Sequence, residues 1–128
     1  MASLRALNQK EFKKVVDGVL AELPKQFQRR LHNIAVVIEK RPSKRRLEEM
    51  GLDPKHDALY GLYEGTPISE RSGLHAPIFP DRITIFSEPL IRDFPDPDEL
   101  RRQIRLTVLH EVAHYFGMDE KKIRGIGY

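Results

Sequence analysis

The chain has 128 residues, 40% of them apolar and 32% charged, with a formal net charge of +3. That is the length of one domain, taken here as 1–128, and the composition of an ordinary water-soluble protein. It has no cysteine, which excludes disulfides, thiolate metal sites and cysteine nucleophiles, and no apolar run near the roughly 18 residues of a membrane span.

The first residues, Met1 to Asn8, carry no apolar signal core, so a cytoplasmic setting is expected. Asn8 is a good N-cap, and Phe12, Val15, Val16, Val19 and Leu20 follow at helical spacing. Pro24 interrupts this helix and starts a second, short one through Leu31. Ile34-Ala-Val-Val-Ile38 predicts a central strand buried on both faces. Residues 25–46 carry eight Lys or Arg against Glu39, a local charge of +7 against −4 for the rest of the chain. Such a segment suits nucleic acid or a solvated face, and the solvated face is preferred because no aromatic or glycine pattern accompanies it. Ser43 to Met50 predicts a helical turn ending at Gly51, and Leu59 to Glu64 a second strand. Residues 65–81 hold Gly65, Pro67, Gly73, Pro77 and Pro80, which predicts a long loop. Arg82 to Phe86 is a third strand, with Ile83 and Ile85 on one face.

Asp96 before Pro97 predicts an N-cap followed by proline at the first helical position. The helix should run to Phe116 and stop at Gly117, with Leu100, Ile104, Val108 and Val112 as its apolar stripe. Asp119 should cap a last short turn through Arg124.

Inside the long helix stands His110-Glu111-Val112-Ala113-His114. Side chains four apart share a helix face about 6 Å apart along the axis, so two imidazoles can grip one Zn²⁺. Glu111 flanks that face, placed to deprotonate a water rather than to ligate. Catalytic zinc usually takes a third protein ligand. Gly117 can end the helix in the left-handed conformation and turn the chain back, bringing Asp119 or Glu120 towards the ion.

The run His110-Glu-Val-Ala-His-Tyr-Phe-Gly-Met-Asp-Glu120 resembles the extended zincin motif H-E-x-x-H-x-x-G-x-x-H/D. It is most similar to the small bacterial zincin-like metallopeptidases with a minimal zincin fold, in which the motif lies near the C-terminus before a short helix and a Gly-Tyr pair, here Gly127-Tyr128. Arg82 to Phe86 and the Pro-Asp-Pro-Asp-Glu-Leu run also look like that family, so the likeness covers residues 80–128 well. The resemblance implies His110 and His114 as metal ligands and Glu111 as general base. It makes Glu120 the third ligand, where the family usually has Asp; Asp119 is the rival, otherwise an N-cap.

The expected fold is α+β, with N-terminal helices on a small mixed sheet and the motif helix beneath. The expected function is zinc-dependent hydrolysis of a peptide or protein, the substrate pairing with an edge strand, Arg82–Phe86 first and Leu59–Glu64 second. The alternatives are a metal-dependent RNA hydrolase, favoured by the basic segment 25–46, and a non-catalytic metal-binding interaction domain. Only eight residues follow Glu120, so a shallow cleft, or one completed by a partner, is expected. Tyr115 and Tyr128 read as packing or surface residues rather than oxyanion donors. His75 reads as an exposed loop residue, and His32, His56, Ser69, Ser72 and Ser87 carry no catalytic spacing.

Overall fold

The computed structural model describes residues 7–32, 34–65 and 81–128. The expectations for His75, Ser69, Ser72 and most of the 65–81 loop therefore lie outside the described residues. The elements run α1 (Gln9–Glu22), α2 (Lys25–Arg30), β1 (Ala35–Glu39), α3 (Lys44–Glu49), β2 (Gly61–Glu64), β3 (Arg82–Phe86), α4 (Ser87–Asp93), α5 (Pro97–Tyr115) and α6 (Glu120–Gly125). This is the α+β arrangement expected.

The helix starts follow local chemistry. Asn8 and Glu11 form a reciprocal capping box at α1, Asp96 accepts from the Glu99 N–H at α5, and Pro97 occupies its first turn. The α5 stripe of Leu100, Ile104 and Val108 is fully buried, each side chain contributing about 1.5–3 kcal/mol relative to exposure. It meets Phe12, Val16 and Val19 of α1 and Ile83 and Ile85 of β3 in one apolar cluster. At the far end of α5, the Tyr115 hydroxyl donates to the Arg30 carbonyl at 2.8 Å and Phe116 meets Phe27 edge-on at 5.1 Å, which ties α2 to the motif helix.

The sheet order is β1-β3-β2, with β1 parallel and β2 antiparallel to β3. This corrects two expectations. β1 is an edge strand among those described, half-buried rather than enclosed. Arg82–Phe86 is the central strand, with Ile83, Thr84, Ile85 and Phe86 all buried. Its backbone groups are used by both neighbours, so it cannot accept a peptide as an added strand. Among the described residues β2 has a strand neighbour on one side only, which makes its other edge the candidate. Phe86 N–H donates to Tyr60 O at 2.8 Å. From that bond the antiparallel alternation turns the N–H and C=O of Gly61 and Tyr63 away from β3.

The short helix α4 was not foreseen. Proline in a first turn is tolerated, and Pro89 and Leu90 are buried. No described helix is long and apolar enough to cross a membrane.

Candidate metal centre

Helix α5 presents His110 and His114 on one face, as their spacing requires, with ring centroids 4.9 Å apart. Both rings are partly shielded, their side chains 23% and 26% exposed. The chain then turns sharply. Gly117 N–H donates to His114 O and Met118 N–H to Ala113 O, with Gly117 at φ +89°. This bond pair is a Schellman turn, which needs a left-handed residue at that position. The turn brings the chain back beside α5, where Asp119 caps α6 by accepting from Lys122 N–H at 2.8 Å.

The next residue, Glu120, faces both rings. Its Oε1 lies 3.0 Å from His110 Nε2 and 2.7 Å from His114 Nε2. Asp119 is occupied as the cap and is not part of this cluster. Ile123, fully buried one turn later, anchors α6 in place. Burial alone would raise the Glu120 pKa, but its hydrogen bonds and charge interactions with the two imidazoles outweigh that and lower it. Burial would likewise lower the His110 pKa. The hydrogen bonds to Glu120 and to the Tyr128 carbonyl, with the charges of Glu111 and Glu120, reverse that and raise it.

Glu111 points towards β2 and is 8% exposed. Burial raises its pKa, opposed in part by the neighbouring imidazoles and by the Tyr63 backbone N–H that hydrogen-bonds its carboxylate. The Tyr63 N–H is one of the groups turned outward from β3, so the edge of β2 holds the acid of the motif directly. A cleft of ≈310 Å³ over the site is lined by Leu62, Tyr63, His110, Glu111, His114 and Glu120 among others. A second, of ≈290 Å³, lies along α5 beside Gln103, Leu106, Thr107 and Tyr128. Both clefts share Leu59, Gly61, His110 and Glu111.

The donor chemistry fits a zinc-type ion. His110, His114 and Glu120 each offer one ligand atom, all within 4.8 Å of one another. Two imidazole nitrogens and one carboxylate oxygen are a known donor set of catalytic zinc, which leaves a coordination position for water or substrate.

Three participants were missed from sequence. Gly61 lies inside the strand expected from Leu59 to Glu64, and a glycine within a strand is a signal of close backbone approach. A Cβ there would lie 2.8 Å from Thr107 Cγ2 and 3.1 Å from Glu111 Cγ. The Tyr63 N–H and the Tyr128 carbonyl are backbone groups and carry no residue-type signal. Other candidates stand apart from the cluster. Tyr115 is buried with its hydroxyl spent on Arg30. Exposed His56 pairs with Asp53 at 2.6 Å, and exposed His32 faces the Arg29 carbonyl. Within the basic segment, Arg41, Arg45 and Arg46 pair with Glu88, Glu49 and Glu64 at 3.0–3.1 Å, which offsets part of its charge.

Compared with known proteins, residues 31–128 match the model of a family described as zincin-like metallopeptidase, a span that takes in every described strand and the whole of α3 to α6. No curated protein matches the chain.

Proposed function

The chain belongs to the zincin-like metallopeptidase family, and from that membership we propose that it hydrolyses peptide bonds with zinc held by His110, His114 and Glu120 and with Glu111 as general base. The family implies a metal ion, typically zinc, and a peptide or protein substrate. The observation that carries the assignment to these residues is the single Glu120 oxygen within 3.0 Å of both imidazole Nε2 atoms. When bound, the ion supplies Lewis acidity, polarising the scissile carbonyl and lowering the pKa of a water to about 7.

The protein's own groups do the rest. Glu111 accepts the proton of the attacking water on its carboxylate and delivers it to the leaving amine nitrogen. Its burial raises its proton affinity above that of an ordinary carboxylate, which suits a group that must take up a proton. The Tyr63 N–H holds the carboxylate in place. An extended peptide adds to the outer edge of β2, which no described strand covers, using outward backbone groups such as those of Gly61, with side chains falling into the two clefts.

The test is Glu111→Gln, assayed against a fluorogenic peptide library. Turnover should fall by about 10²–10⁴-fold, the usual worth of a positioned acid–base group, while zinc content stays as in the wild type. Undiminished turnover would remove Glu111 from the mechanism.

A further inference from the structure

The α5–α6 Schellman turn has a counterpart after α6. Gly127 N–H donates to Arg124 O and Tyr128 N–H to Ile123 O, both at 3.1 Å, with Gly127 at φ +94°. The first turn swings Glu120 onto the two Nε2 atoms. The second swings the main chain of Tyr128 back onto the opposite side of the His110 ring, where its carbonyl lies 3.3 Å from Nδ1. A main-chain oxygen only accepts, so a hydrogen bond here places a proton on Nδ1, and a bound ion would displace the other ring proton, the one Nε2 directs at Glu120 Oε1.

We propose that the main-chain oxygen of Tyr128 is a positioning group for the metal centre, fixing the His110 ring and the proton on its Nδ1 through the Gly127 turn. This rests on His110 being a ligand. The tyrosine side chain is not the active part: the residue is exposed and borders the cleft. The useful element is the turn, and the residue that makes it is Gly127. A Cβ at Gly127 would meet nothing within 4 Å, so a substitution there acts through φ alone and not through a clash. Its positive φ is the conformation that β-branched residues avoid and that asparagine tolerates.

These facts define a variant series: Gly127→Val, Gly127→Asn and Tyr128→Ala. The probe is zinc alone, titrated against a chelating dye, with circular dichroism to confirm that the helices persist. A second readout is the slowly exchanging ring N–H proton of His110 in the zinc-loaded protein. Gly127→Val should weaken zinc binding by about 10–100-fold, the usual effect of losing such a supporting partner, and should lose the protected ring proton. Gly127→Asn and Tyr128→Ala should keep both within about twofold of the wild type. Wild-type affinity in Gly127→Val, or an equal loss in Tyr128→Ala, overturns the inference. If the wild type itself takes up no zinc, the metal centre falls and this inference with it, an outcome distinct from a wild type that binds and a Gly127→Val that binds equally well.

Discussion

Gly61 lies so close to Glu111 that a methyl group on its Cα would come within 3.1 Å of the Glu111 Cγ. β2 can cross the motif helix at this depth because residue 61 has no side chain. That closeness gives the Tyr63 N–H its reach to the Glu111 carboxylate, one pleat along the same edge.

Gly61→Ala should therefore harm both stability and chemistry. The added carbon would stand 2.8 Å from Thr107 Cγ2, a distance that forces something to move. Overpacking of this kind costs about 1–3 kcal/mol. A displacement of the base by even about 1 Å is worth up to about 10²-fold in rate. Thr107→Ser removes the obstructing methyl, so the double variant should regain stability in urea denaturation. Failure of the double variant to recover any stability would show that the contact with Thr107 is not the source of the strain.

Glu120 and Asp119 are neighbours with separate tasks, and their alanine variants should separate cleanly. Asp119→Ala removes the α6 cap and should cost about 1 kcal/mol of stability while zinc binding persists. Glu120→Ala should keep α6 capped but weaken zinc binding by more than the roughly 10–100-fold expected for a supporting partner. Calorimetric zinc titration of both variants checks this. A reversed pattern would make Asp119 the ligand.

Tyr60, which leads into β2, donates to Asp93 at 2.6 Å and ties the strand to α4. Burial, and then the Asp93 carboxylate, pushes its pKa up from 10.0 to about 12. Asp93 is shifted the other way, held down by its hydrogen bonds to Arg92 and Tyr60. A raised phenol pKa means that its contribution to stability is complete below about pH 10 and is lost as pH rises through about 12. Asp93 contributes above its unfolded-state pKa, and its contribution fades as pH falls through its lowered folded value. Absorbance titration at alkaline pH should show one tyrosine ionising near 12 that disappears in Tyr60→Phe and moves towards 10 in Asp93→Asn. A Tyr60 that ionises near the ordinary 10 would mean that neither its burial nor its bond to Asp93 is kept in solution.

Much of this was legible from sequence because it is written locally. The caps at Asn8, Asp96 and Asp119, the stop at Gly117 and the i, i+4 histidines are properties of a few adjacent residues, and each stands where expected. Sheet order was not legible, because pairing is decided between distant segments. The apolar run at Ile34–Ile38 suggested the middle of the sheet, and Arg82–Phe86, with Ile83 and Ile85 on one face, was expected at an edge. The structure reverses them, burying the Thr84 hydroxyl with no hydrogen-bond partner among the described residues. The backbone members of the site, Tyr63 N–H and Tyr128 O, were invisible for a simpler reason: every residue has those groups, and only the fold decides which ones matter.

The central claim is that one ion is held from two successive turns of α5 and the first residue of α6. Zinc content per chain, measured for purified wild type and for His114→Ala side by side after identical zinc loading and desalting, tests it most directly. The account predicts close to one zinc per wild-type chain and a small fraction of that in the variant. Equal zinc in the two proteins, or none in either, would contradict it.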